Sequence, residues 1–175
     1  LLYGEPGTGK TESVMQWARA TGRDIFHVDI SASKSMWYGE SEKIIKDIFD
    51  RYRRACKRSS LKPILLFNEA DAIFSKRRDI SGGNSVDQTE NTIQNILLEE
   101  MEKLDGILIA TTNLSSNLDR AFERRFLFKI HFSRPSAEVK CHIWLHKMPM
   151  LTSQEAKQLA SLYDFSGGEI DNVVR

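Results

Sequence analysis

Gly4-Glu5-Pro6-Gly7-Thr8-Gly9-Lys10-Thr11 carries the spacing G-x-x-x-x-G-K-[ST], and those residue types at those intervals suit the holding of a chain of phosphates. The glycines let successive backbone N–H groups turn toward one point. A helix beginning after them adds partial positive charge, and Lys10 adds a full one. Thr11 offers a hydroxyl of the kind that ligates Mg²⁺. A second group of polar residues ends the run Ile64-Leu65-Leu66-Phe67-Asn68-Glu69-Ala70-Asp71. Glu69 is the candidate base, a carboxylate able to orient or deprotonate a water. Asn68 stands where a metal-associated Asp is usual and supplies an amide oxygen without negative charge.

Both groups need strands behind them. Leu1-Leu2-Tyr3 reads as a strand end, residues 11–20 as a helix closed by Gly22, and residues 25–30 as a second strand. Ile45, Ile48, Phe49, Tyr52 and Cys56 recur at intervals of three and four, which predicts a helix over 42–57. Pro63 introduces four apolar residues without alternation, the pattern of a strand covered on both faces. Residues 75–88 are polar with a Gly pair and read as a mobile surface loop, and the apolar spacing from Ile93 to Leu104 marks the next helix. Residues 107–112 predict a fourth strand. Residues 126–132 predict a fifth, with Phe126, Phe128, Ile130 and Phe132 on one face. Three helices follow, over 136–147, 153–163 and 169–175. Strands alternating with helices give an α/β fold on a parallel sheet, residues 1–135, with a small helical appendage over 136–175. Open sheets of this kind bind ligands at the carboxyl ends of their strands, so the phosphate loop and Glu69 are expected to share one edge.

The 175 residues include 25 basic and 24 acidic side chains and 41% hydrophobic residues, which describes a globular chain rather than a disordered one. A net charge of +1 removes the simplest electrostatic case for nucleic acid and leaves only local patches to be considered. No apolar run approaches the roughly 18 residues that cross a bilayer. Cys56 and Cys141 lie far apart without a ligand spacing, and are expected to be buried thiols of a reducing, cytoplasmic compartment. The chain opens without Met inside a strand, so it is expected to be part of something longer.

Taken together, these segments resemble the AAA+ ATPases, and within them the AAA clade. Gly4 to Thr11 resembles the Walker A motif of that family and Ile64 to Asp71 its Walker B motif. ILIATTN at 107–113 resembles sensor 1, and LDRAFERRF at 118–126 the arginine-finger segment. Met36-Trp37-Tyr38-Gly39 looks like the central-pore loop that grips protein substrates, and Phe165-Ser166-Gly167-Gly168-Glu169-Ile170 looks like the lid segment beside the adenine. The resemblance implies a P-loop NTPase core that hydrolyses ATP with Mg²⁺. It implies that Asn113 helps position the attacking water, and that Arg124 or Arg125 reaches a neighbouring subunit's site in a homo-oligomeric ring, expected to be a hexamer. It further implies remodelling or unfolding of a protein substrate. The chain departs from the family pattern at Asn68, and at Glu123-Arg124-Arg125-Phe126 in place of R-P-G-R-F, which leaves open which arginine is the finger. Two alternatives stay in view: a nearly inactive ATP-binding scaffold, and a nucleic-acid motor or clamp-loading ATPase.

Three further features have plainer readings. His142 and His146 have the i, i+4 spacing that can bind zinc, but Ile143 stands where a zinc peptidase needs Glu and no third ligand is evident. Trp37 and Tyr38 suit core packing as well as a pore. Lys76-Arg77-Arg78 reads as a solvated turn.

Overall fold

A computed structural model of the chain describes residues 1–29, 37–74, 85–113 and 118–175. Five strands form one parallel sheet in the order β2-β3-β4-β1-β5: β1 (Leu2–Gly4), β2 (Ile25–Asp29), β3 (Ile64–Asn68), β4 (Ile107–Thr112) and β5 (Ile130–Phe132). The helices are α1 (Lys10–Thr21), α2 (Trp37–Arg58), α3 (Asp71–Phe74), α4 (Ser85–Glu102), α5 (Arg120–Glu123), α6 (Ala137–Lys147), α7 (Ser153–Leu162) and α8 (Gly167–Val174).

The unalternating β3 run is explained by helices on both sides of the sheet. Because successive strand side chains point to opposite faces, Leu65 and Phe67 enter one core with Ile45, Phe49 and Tyr52 of α2 and Ile93 and Leu97 of α4. Ile64 and Leu66 enter the other, with Val14 and Ala18 of α1 and Leu2 of β1. Each of the Val, Leu, Ile and Phe side chains among them contributes on the order of 1.5–3 kcal/mol on full burial. The Tyr52 hydroxyl donates to the carbonyl of Pro63 (2.8 Å) and accepts from the N–H of Ile107 (2.9 Å), tying α2 to the entrances of β3 and β4. Burial pushes that hydroxyl's pKa up to about 12. A separate apolar cluster, including Trp144, Ala156 and Ile170, lies within α6, α7 and α8. Thr152 with Glu155 and Ser166 with Glu169 cap α7 and α8 reciprocally.

Four expectations are corrected. The fifth strand is three residues long, Ile130–Phe132, paired in parallel with Leu2–Gly4 of β1. Phe126 instead packs on Phe74 at 5.7 Å between ring centroids, while Phe128 is 75% exposed, so the four residues share no face. The polar stretch is shorter than expected, since α4 begins at Ser85; residues 75–84, with Lys76, Arg77 and Arg78, lie outside the described residues. Helix α2 starts before residue 42: the backbone of Trp37, Tyr38 and Gly39 forms its first turn rather than a loop, and Met36 lies outside the described residues. Cys56 is half-buried and only Cys141 is buried; both are free thiols.

Candidate functional site

The carboxyl ends of β1, β3 and β4 open into a cleft of about 700 Å³. One wall comprises Pro6, Gly7, Thr8, Gly9, Lys10 and Thr11, the floor Glu69, Thr111, Thr112 and Asn113, and the far wall residues of α6 and α8. Gly9 sits at φ +92° as the left-handed residue before α1, with no atom within 4 Å of where a Cβ would be. That conformation suits glycine, and it leaves the start of the helix bare toward the cleft. Gly7, at φ +74°, is held against α8: a Cβ there would lie 2.6 Å from Ser166 Oγ, and its carbonyl accepts the N–H of Gly168 at 2.9 Å.

Lys10 is nearly buried, and its ammonium donates to the carbonyls of Gly4 (2.8 Å) and Glu5 (2.7 Å) and to Asn113 Oδ1 (2.9 Å). Burial lowers the Lys10 pKa, and the carboxylates of Asp71 and Glu69 pull against it. Gly4 and Glu5 therefore serve through their carbonyls. The Glu5 side chain turns away to Arg134, whose Nε lies 2.7 Å from Glu5 Oε2 and whose other end donates to the carbonyl of Asp164 at 2.7 Å.

Thr11 donates its hydroxyl proton to Asn68 Oδ1 at 2.7 Å, which leaves the lone pairs of Thr11 Oγ1 for another partner. Thr111 also donates to Asn68 Oδ1, at 2.9 Å, and accepts the N–H of Glu69 at 3.0 Å. Glu69 has φ +53°, the one positive φ outside glycine among the described residues, and its side chain is exposed at the cleft. A β-carbon in that region costs on the order of 1–2 kcal/mol, and the chain accepts it where the carboxylate turns into the cleft. Asp71, two residues later, accepts from the Thr112 hydroxyl, from the Asn113 N–H (2.8 Å) and from Asn113 Nδ2 (3.2 Å).

Lys10, Thr11, Asn68, Glu69 and Asn113 thus meet at one edge of the sheet. Arg124 and Arg125 do not: they follow α5, outside the cleft lining. Arg125 donates to the carbonyl of Ala121 (2.9 Å) and pairs with Glu102, whereas the exposed Arg124 guanidinium has no partner among the described residues. His142 and His146 both line the cleft from α6, and no group of three metal-ligating side chains occurs among the described residues. Thr111, Thr112, Asp71 and the glycines at 167 and 168 fall inside segments that motif reading marks, but motif reading gives none of them a role of its own. The signal for the threonines is their position, the last two residues of a strand that ends beside the phosphate loop.

A sequence model of the ATPase family associated with various cellular activities (AAA) matches residues 1–134. Fidgetin-like protein 1 of Drosophila melanogaster is 29% identical over 189 residues, covering 100% of this chain and 34% of the relative. The proteasome-activating nucleotidase of Saccharolobus solfataricus is 31% identical over 186 residues, covering 99% of this chain and 45% of the relative. The chain thus spans less than half the length of these curated relatives. The crystal structure of the FIGL-1 AAA domain in complex with ADP superposes with a TM-score of 0.74 at 23% identity, over 99% of this chain and 57% of that one, which shows a shared fold.

Proposed function

The chain belongs to the AAA family of ATPases, and from that premise we propose that it binds Mg-ATP in the cleft, hydrolyses it, and drives the remodelling of protein substrates as part of a cytoplasmic hexameric ring. The observation that carries the reading is the convergence of Lys10, Glu69 and Asn113 at the strand ends beside the bare start of α1. In this reading the N–H groups from Gly7 to Thr11 and the Lys10 ammonium take up the negative charge of the phosphates. Glu69 orients a water and receives its proton as that water attacks the γ-phosphorus. The bond to the β-phosphate oxygen breaks, giving ADP and inorganic phosphate. Asn113 holds the water in line.

The oxygen donors fit Mg²⁺: Thr11 Oγ1 has its proton committed to Asn68, so Thr11 would hold the ion and Asn68 would hold Thr11. Bound there, the ion supplies positive charge to the β- and γ-phosphate oxygens. Arg124, unpaired among the described residues, is the one assigned to the neighbouring subunit's site, and Arg125 braces α5. A site completed in trans implies a heterologous interface that closes into a ring. Residues 1–135 form the nucleotide-binding subdomain and residues 136–175 a partial helical lid. The family and the proteasome-activating name of one relative support a protein substrate, which the segment of Met36, Trp37, Tyr38 and Gly39 is assigned to grip.

One observation favours a second reading. Asn68 puts no negative charge beside the metal position, as a scaffold that binds ATP without turning it over would require. Phosphate release by the full-length protein, with and without Mg²⁺ and an unfolded protein, decides between them. Mg-dependent turnover supports the first reading, and tight ATP binding without turnover supports the second.

A further inference from the structure

We propose that Asp71 is the positioning residue that fixes which way the Asn113 amide faces, and through it where Lys10 is held. Only its catalytic consequence rests on the ATPase reading above. An ammonium can only donate and a carboxylate can only accept, while a primary amide offers a donor on one side and an acceptor on the other. Asn113 lies between the two, with Oδ1 taking the Lys10 proton at 2.9 Å and Nδ2 donating to Asp71 Oδ2 at 3.2 Å. Turned by half a rotation, the same amide would set N–H against ammonium and C=O against carboxylate, so a single orientation satisfies both neighbours.

Asn113 is exposed, and burial does not hold its side chain. Asp71 holds it instead, with a second grip on its backbone N–H at 2.8 Å, while the Thr112 hydroxyl anchors the same carboxylate. Asp71 does not line the cleft, so it acts through Asn113 and touches no ligand. The consequence is that the amide oxygen, not the amide nitrogen, stands beside Lys10 at the phosphate end of the cleft.

The test exchanges the two side chains in the full-length protein. Asp71→Asn leaves the amide free to turn. It should lower the rate of ATP turnover at least about tenfold while a fluorescent ATP analogue binds within about threefold of the parent. In the nucleotide-free protein, Lys10 should react with an acylating reagent at least about threefold faster, read by peptide mass spectrometry, because its ammonium loses its hold. The double exchange Asp71→Asn with Asn113→Asp restores one donor facing one acceptor and should return Lys10 acylation most of the way to the parental rate, while turnover stays low because Asn113 itself is replaced. Asn113→Ala covers the case in which Asp71→Asn fails to fold, and should quicken Lys10 acylation as well. The proposal is overturned by parental Lys10 reactivity in Asn113→Ala, or by parental turnover in Asp71→Asn. It is equally overturned by a double exchange that melts like the parent yet leaves Lys10 acylated as fast as in the single variant. If the parent itself shows no turnover, the ATPase reading fails alone, and the Lys10 acylation pattern still decides the role of Asp71.

Discussion

Thr111→Val removes one hydroxyl and nothing else of comparable size, at a side chain 1% exposed at the end of β4. That hydroxyl accepts the Glu69 N–H at 3.0 Å and donates to Asn68 Oδ1 at 2.9 Å. Without it the Glu69 N–H is orphaned, at about 1–3 kcal/mol, whereas Asn68 keeps its bond from Thr11. Release of the Glu69 backbone from φ +53° returns part of that, since the left-handed region costs on the order of 1–2 kcal/mol. The net loss, about 1–2 kcal/mol, corresponds to a fall of roughly 2–8 °C in Tm for a chain of this size. The larger effect is on chemistry. Glu69 loses the constraint that turns it into the cleft, so kcat should fall at least about tenfold while ATP affinity holds within about threefold. Calorimetry, phosphate release and a fluorescent ATP analogue read the three quantities, and Thr111→Ser, which keeps the hydroxyl, should retain most of the activity. Parental kcat in Thr111→Val, or Thr111→Ser as slow as Thr111→Val, would refute the reasoning.

Lys10→Ala should abolish thermal stabilisation by ATP, which for the parent at a hundred times its Kd amounts to about 2.7 kcal/mol; equal stabilisation of both proteins would count against the phosphate-loop assignment. Arg124→Ala should lose turnover without losing stability, whereas Arg125→Ala should lower Tm through its bonds to Ala121 and Glu102; the reverse pattern would exchange their roles. Both cap carboxylates, Glu155 and Glu169, have pKa values lowered, chiefly by the backbone N–H groups of Thr152 and Ser166. Their contribution is therefore complete above the ordinary glutamate value of about 4.3 and lost as pH falls through the lowered folded values. Glu155→Gln with Glu169→Gln should flatten the Tm-against-pH curve in that acidic window, and an unchanged slope there would show that the caps do not titrate as described.

Much of this arrangement is legible in the order of the amino acids alone. The Lys10 segment and β3 carry strong local patterns, a spaced glycine loop and an unbroken apolar run, and both fall on the expected elements at the same sheet edge. Periodicity also places the buried face of α2, since Ile45, Phe49 and Tyr52 are all within the core. What fails is local pattern without knowledge of the partner. The alternating phenylalanines near 126–132 read as a strand, yet Phe126 packs on Phe74 in the core while Phe128 is left exposed, and the strand begins only at Ile130. The four-residue helices α3 and α5 are too short for any periodicity. Thr111 and Asp71 matter through bonds to residues about 40 positions away in sequence, and no spacing rule reaches that far. That Arg125 is held is likewise decided at a distance, by the Glu102 carboxylate 23 positions away.

The central claim is that Glu69, turned into the cleft beside Lys10 and Asn113, is the base of an ATP hydrolysis site. The direct measurement is ATP binding and phosphate release by the full-length protein and its Glu69→Gln variant under identical Mg²⁺. The account expects both proteins to bind ATP with Kd within about threefold and the variant to release phosphate at least about a hundredfold more slowly. Equal phosphate release by the two proteins, at equal occupancy, would contradict it.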